Sequence, residues 1–382
     1  PGRHGASCCL LGDLGYPIRS ADRLFLVGQI NKNQKMKLLW YLMVKFYVRT
    51  GFAFYFKQVR VDGLENVPRD KAVLFVANHQ NALIDPLLIG AFIPRQLHFL
   101  TRADVFYKPV VRALLSTVNM LPIYRIRDGR DSLSKNEEVF QKCYRILNKK
   151  GTVLIFPEGN HNIQRRVRVL SKGFTRIVFG ALQNYGDHEI MVVPIGINYS
   201  NARRYASSVR LIVGEPIRAN DFHSTESGSE SYNNNGASSA LKDRVRESLK
   251  KLVTHIEDSE QHDYLESCFH EEEFLDPAAV NQKLELPHKL GAVQKAPGRS
   301  FNFLLPLVRT NSIFPLLIWK NLRSKIEEEE FIATYKFALG MTVVPVFYGI
   351  QSLAVGYFFG SMTGWIYLGL SLLIAFLLTK SR

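Results

Sequence analysis

Apolar residues along this chain fall into three patterns. Between about residues 58 and 220, short runs rich in Val, Ile, Leu and Phe alternate with longer stretches whose apolar positions recur at helical spacing. Residues 73–77, 97–101, 152–156, 190–197 and 209–213 read as buried strands, and residues 109–117, 136–147 and 172–182 as helices. Strand and helix taking turns predicts an α/β domain with a mostly parallel sheet flanked by helices. Such a sheet places its ligand site outside the carboxyl ends of its strands.

The second pattern is a continuous apolar run. Residues 337–379 carry no charged side chain, which is enough for two spans of roughly 20 residues. The stretch "GSMTG" at 360–364 divides them. A buried soluble hairpin is the alternative, but helices apolar on every face point to a C-terminal transmembrane hairpin over 337–382. Lys320, Arg323, Lys325 and Lys336 precede the run, and Lys380 and Arg382 follow it, which puts both flanks on the cytosolic face. Residues 36–57 are also apolar and aromatic but include Lys45 and Arg49. They read as an interfacial membrane helix whose basic side chains snorkel to the headgroups, and a core helix of a soluble domain fits the same pattern equally well. Residues 1–35 have no period. Met36 reads as a start, with 1–35 a leader or disordered extension.

The third pattern is polar. Residues 221–240 are rich in Ser, Asn and Gly and read as a flexible loop. Leu241, Val245, Leu249, Leu252, Val253 and Ile256 then mark one face of an amphipathic helix. Residues 258–300 read as a linker, in which His270 beside Glu271, Glu272 and Glu273 is a solvated charge run. Residues 301–336 form an interfacial basic-apolar segment.

Composition narrows the partners. A hydrophobic fraction of 46% supports a real core, and a formal charge of +15 calls for an anionic partner. Membrane lipids and a phosphorylated substrate fit this better than nucleic acid, because the basic residues coincide with membrane flanks and a phosphate-sized pocket. Cys8, Cys9, Cys143 and Cys268 have neither zinc-ligand spacing nor a disulfide framework.

Candidate chemistry sits at three predicted strand ends. In "VANHQNALIDPLL", His79 emerges just beyond a strand, and a histidine base needs a partner that fixes its tautomer. Asp85 could be that partner, although a regular helix would turn the two side chains to different faces. Pro86 favours a first helical turn, which makes Asp85 an N-cap and leaves residues 79–84 as a loop free to fold back. A plain N-cap remains the alternative. "GTVLIFPEGN" runs a strand into Glu158 and Gly159. His161, Arg165, Arg166, Arg168 and Lys172 follow as a basic cluster fit to hold a phosphate dianion. "LPIYRIRDG" adds Arg125, with Arg127 two positions on. Together these describe a base beside an anion pocket.

The motifs "NHQNALID", "LPIYR", "FPEG" and "VVPIGINY" resemble, in order and spacing, the four motifs of the glycerolipid acyltransferases that act on glycerol 3-phosphate and 1-acylglycerol 3-phosphate. The resemblance covers residues 36–220, and a branch ending in a hydrophobic hairpin would extend it over 300–382. It implies a glycerol-3-phosphate acyltransferase-like α/β fold in which His79 deprotonates a glycerol hydroxyl that attacks an acyl thioester, with Asp85 orienting His79. Arg125, Glu158 and Gly159 would bind the glycerol phosphate, Glu158 through orientation or hydroxyl contacts. Val193 and Pro194 would shape the acyl-donor site. The donor would be acyl-CoA or acyl carrier protein as co-substrate, with no metal and no further cofactor. The acceptor would be glycerol 3-phosphate, 1-acylglycerol 3-phosphate or another lysophospholipid.

Two departures stand out. The usual His-x4-Asp is His-x5-Asp here, and Asn160-His161-Asn162 replaces the usual Thr-Arg-Ser after FPEG, which shifts the arginine role to Arg165, Arg166 or Arg168. A non-catalytic lipid-binding protein retaining the fold, and a lipid hydrolase using His79 to activate water, are the rival readings.

Overall fold

The alternating pattern folds into one mixed sheet. The computed structural model describes residues 32–124, 130–186, 188–223, 230–257, 260–291, 293 and 303–381. The chain divides into two compact units, residues 1–44 and 45–382. Helix α1 (Lys32–Tyr55) crosses that boundary and starts before Met36.

The eight strands are β1 (Gln58–Asp62), β2 (Ala72–Ala77), β3 (Leu97–Arg102), β4 (Met120–Ile123), β5 (Thr152–Ile155), β6 (Ile190–Tyr199), β7 (Ser208–Val213) and β8 (Ile217–Arg218). Their order is β1-β7-β6-β2-β5-β3-β4, with β8 pairing β6. Strands β6, β2, β5, β3 and β4 run parallel, so their carboxyl ends share one edge of the sheet. β7 pairs antiparallel to β6 and carries β1 parallel to itself. That reversal lacks a signal in the hydrophobic pattern, because a strand buried on both faces reads alike in either direction.

Every residue of β2 is buried, as a central strand covered on both faces requires. One face packs Leu74, Val76, Val153 and Val192 against α4 (Arg130–Asn148), α5 (Gly173–Tyr185) and α6 (Glu230–Leu252). Leu241, Val245 and Leu249 of α6 are fully buried there, as their spacing predicts. On the other face, Phe52 of α1 stacks on Phe337 at 4.6 Å and on Phe92 at 6.4 Å. The latter belongs to α2 (Ile84–Phe92), which leads out of the His79 loop. Helix α3 (Pro109–Thr117) follows β3.

Two polar stretches are more structured than their composition suggests. Residues 230–240, read as loop, form the first turns of α6. Residues 260–291, read as linker, contain α7 (His262–Ser267) and α8 (Pro277–Leu284), and Phe269, Phe274 and Val280 make a small separate core.

The chain then runs through α9 (Leu304–Asn311) and α10 (Ile313–Arg323) into α11 (Phe331–Phe359) and α12 (Ser361–Ser381). The last two, 29 and 21 residues, are long and apolar enough to cross a membrane. Their outer faces expose Leu353, Phe358, Trp365 and Leu370. They cross closely at Gly364, where a Cβ would lie 2.6 Å from the Ser352 carbonyl oxygen and 3.0 Å from Gly356 Cα. Ser352 Oγ also donates to the Gly364 carbonyl at 2.8 Å.

Candidate active site

His79 lies two residues beyond the end of β2, at the shared carboxyl edge. Asn78 anchors that turn to β6: its Nδ2 donates to the Ile197 carbonyl at 3.1 Å, and Ile197 N donates to its Oδ1 at 2.8 Å. The loop that follows is tied to two other elements. Asn81 Nδ2 donates to the Ala202 carbonyl at 2.7 Å, and Leu83 N donates to Thr334 Oγ1 of α11 at 3.2 Å.

Asp85 organises this loop from within the first turn of α2. The structure corrects its expected place: Leu83 is the N-cap, Ile84 opens the helix and Asp85 is the second helical residue. Its carboxylate folds back because the loop presents several donors at once. Oδ2 accepts from Gln80 N at 2.8 Å, from Asn81 N at 2.7 Å and from His79 Nδ1 at 2.8 Å. Oδ1 accepts from Tyr199 Oη at 2.6 Å. Asp85 is completely buried, and four donors compensate a charge that would otherwise be costly there. Burial first, and the adjacent Asp85 charge second, raise the Tyr199 phenol well above its ordinary value, so it stays protonated and remains a donor.

An ionised carboxylate only accepts, so Nδ1 of His79 carries the proton and Nε2 holds the lone pair. The ring stacks on Phe156 at 4.2 Å, and the His161 ring stands edge-on to it at 5.7 Å. Asn162 N donates to the His79 carbonyl at 3.0 Å. The loop after β5 is thereby locked to the loop after β2.

That second loop carries Glu158, whose side chain is only 2% exposed. Oε1 accepts from Arg168 N at 3.2 Å, while Oε2 accepts from Arg168 Nε at 3.0 Å and Nη2 at 2.6 Å. Burial raises the Glu158 carboxyl above its ordinary value, with Arg168 pulling the other way. Gly159 turns the chain at a φ of 78°, a conformation costly for other residues. Arg168 also bonds the Asn160 side chain and carbonyl, so its charge is spent largely on shaping the turn.

The remaining residues of the basic cluster lie apart from His79. Arg165 is buried and fully engaged: Nε donates to Glu266 at 2.9 Å, Nη1 to the Tyr199 carbonyl at 2.8 Å and Nη2 to the Ser200 carbonyl at 3.1 Å. Phe274 covers its guanidinium at 3.7 Å. Paired with Glu266, it braces the strand end that carries Tyr199. Arg166 lies near His255, which burial first, with the charges of Lys250, Arg246 and Arg166 after it, holds below the ordinary histidine value. Lys172 is exposed and donates to Asn235 at 3.3 Å. Val193 and Pro194 are buried inside β6, paired with Phe75 and Val76. Arg125 and Arg127 lie outside the described residues.

Sequence reasoning misses four contributors. Asn78 and Tyr199 lie within quoted motifs, but only their strand-end positions hint at a role. Phe156 precedes "PEG" without a polar signal. Arg102, at the carboxyl end of β3, pairs with Asp104.

An apolar cavity of about 580 Å³ opens beside α11. Tyr47 and Phe54 of α1, Leu339 and Val344 of α11, and Leu372 of α12 are among its lining residues, with Lys336 and Arg309 also present. Phe331, at the start of α11, meets His161 edge-on at 5.0 Å, and Phe337 on the same helix lines the cavity. The site and the cavity are therefore served by one helix.

Residues 58–198 match the profile of the Acyltransferase family. The chain is 26% identical over 173 residues to the chloroplastic 1-acyl-sn-glycerol-3-phosphate acyltransferase of Arabidopsis thaliana, covering 42% of this chain and 44% of that one. It is 30% identical over 124 residues to Glycerol-3-phosphate O-acyltransferase 2 of Saccharomyces cerevisiae, covering 32% of this chain and 15% of the yeast protein. A 1-acyl-sn-glycerol-3-phosphate acyltransferase of Bacillus subtilis is 22% identical over 201 residues, 51% of this chain and 89% of its own. The chain thus spans less than half of the Arabidopsis relative.

Proposed function

We propose that residues 58–198, which match the Acyltransferase family model, form a glycerolipid acyltransferase domain, and that the protein moves a fatty acyl group from an acyl thioester to a hydroxyl of glycerol 3-phosphate or 1-acylglycerol 3-phosphate. One observation carries the mechanism: His79 Nδ1 is fixed on the buried Asp85 carboxylate at 2.8 Å. Nε2 is then the basic nitrogen. It takes the proton of the acceptor hydroxyl as that oxygen attacks the thioester carbonyl. When the tetrahedral intermediate collapses, the C–S bond breaks and the proton on Nε2 passes to the departing thiolate. Asp85 stabilises the transient imidazolium, as the buried carboxylate does in a serine-protease triad. Here the nucleophile is the acceptor itself, so no acyl-enzyme is formed.

The architecture supports lipid substrates. In this reading α11 and α12 are a transmembrane hairpin, with the catalytic domain on the cytosolic face beside Lys320, Arg323, Lys325 and Lys380. The apolar cavity along α11 offers room for an acyl chain. Arg125 would help meet the acceptor phosphate, and Glu158 contributes by holding the FPEG turn through Arg168. The test is a transfer assay with purified protein that crosses acyl-CoA and acyl carrier protein donors with glycerol 3-phosphate and 1-acylglycerol 3-phosphate. One productive pair, with stoichiometric thiol release, supports the reading. Release of free fatty acid without acylated acceptor contradicts it and favours hydrolysis.

A further inference from the structure

The segment entering α11 brings two carboxylates to the active-site rim. Glu328 and Glu330 lie beside His161, and one ligand atom from each of the three residues falls within 4.8 Å of the others. Glu328 Oε2 is 3.7 Å from His161 Nε2, beyond hydrogen-bond distance. The His161 side chain is only 9% exposed, yet both of its ring nitrogens are buried without a hydrogen-bond partner. Leaving two such polar atoms unpaired is costly. Phe331 holds the ring edge-on from one side and His79 from another, so the ring cannot easily turn to find partners elsewhere.

We propose that His161, Glu328 and Glu330 bind a divalent cation at the rim of the active site, and that its open coordination positions take the phosphate of the acceptor. Metal–ligand bonds of about 2.0–2.2 Å set ligand atoms up to about 4.4 Å apart, so the three groups need little movement to close on an ion. One imidazole and two carboxylates suit Mn²⁺ or Zn²⁺ better than Mg²⁺, which favours an all-oxygen shell. Three protein ligands leave positions open for water or substrate.

Charge balance adds a second argument. Among the described residues near His79, Arg168 is matched by Glu158 and Arg102 by Asp104. Among the described residues Glu328 and Glu330 have no basic partner beyond His161, and they place two negative charges where an anionic acceptor has to approach. A bound cation reverses that sign and bridges carboxylates to phosphate. The phosphate role rests on the proposed function, while cation binding stands without it.

The test uses the purified, chelator-treated full chain in detergent, titrated with Mn²⁺ and followed by electron paramagnetic resonance. The wild type should bind one equivalent saturably. A Glu328→Gln/Glu330→Gln variant should bind roughly tenfold more weakly or worse, and His161→Phe likewise. The glutamates are partly exposed, so the glutamine pair is expected to fold, and an unchanged melting temperature checks this. Adding glycerol 3-phosphate should lower the water-proton relaxivity of bound Mn²⁺ as phosphate displaces water. Absence of a stoichiometric site, or binding indifferent to the double variant, overturns the cation site. Binding with unchanged relaxivity overturns the phosphate role. Binding and a relaxivity response in a protein that transfers no acyl group would leave the cation site standing and remove the proposed function.

Discussion

Tyr199 donates a 2.6 Å hydrogen bond to Oδ1 of Asp85, from the end of β6 to the first turn of α2, 114 residues earlier in the sequence. This contact faces away from His79 and occupies the one carboxylate oxygen the histidine does not use. A hydrogen bond to a charged group is worth about 1.5–3 kcal/mol. Tyr199→Phe removes the donor with little change of shape, so kcat should fall roughly ten- to a hundredfold while KM for the acceptor changes little. Steady-state kinetics check this, and an unchanged kcat would show that Asp85 holds His79 without that support.

Arg165 leads to the opposite expectation. Its guanidinium satisfies Glu266 and the carbonyls of Tyr199 and Ser200. Arg165→Met would leave the buried Tyr199 and Ser200 carbonyls unpaired, at a cost of about 1–3 kcal/mol, while Glu266, 37% exposed, can turn to water. Chemical denaturation should record that loss, while KM for the acceptor stays within twofold or so in whatever protein folds. A raised KM at unchanged stability would return Arg165 to the anion pocket.

Acid should weaken the fold in a defined window. His98, His161 and His255 are each held below the ordinary value of 6.5, with burial the first cause. The unfolded chain therefore binds protons more readily there, so stability is full above pH 6.5 and is lost as pH falls from 6.5 towards the folded values. Melting temperature measured from pH 7.5 downward should decline through that range, and His98→Gln should make the decline shallower. An identical slope in the variant would remove His98 from the account.

The cavity along α11 predicts chain-length selection. Gly340 lines it, and a Cβ placed there meets no atom within 4 Å. Gly340→Phe should fill part of the space. Each methylene excluded costs about 0.8 kcal/mol, roughly fourfold in relative rate. Competition between long-chain and medium-chain donors should therefore shift towards the shorter one, whereas an unmoved ratio would place the acyl chain elsewhere.

Much of the catalytic edge is legible in the sequence. Short apolar runs locate the strands, and His79 and Glu158 stand just past two of them. The partnership of His79 with Asp85 is also legible, but its geometry is not. The N-cap rule places Asp85 two helix positions too early, because Gln80 N and Asn81 N draw the carboxylate back from inside the helix. Tyr199 is visible as a strand-end residue, but its reach to Asp85 depends on β6 lying beside β2, which periodicity does not encode. The loop from Pro157 to Lys172 has no regular spacing, so nothing in the sequence distinguishes Arg168, which faces Glu158, from Arg165, which points into the interior. Residues 260–291 look like linker because their small core uses only a few widely spaced apolar residues, Phe269, Phe274 and Val280 among them.

The most direct test of the central claim is His79→Ala. Radiolabelled acyl thioester is offered with glycerol 3-phosphate and with 1-acylglycerol 3-phosphate to purified wild-type and variant protein of equal melting temperature. Loss of the proposed base should lower transfer by about a hundredfold or more, while the variant still partitions with membranes. Transfer at the wild-type rate by a folded His79→Ala protein would contradict the account.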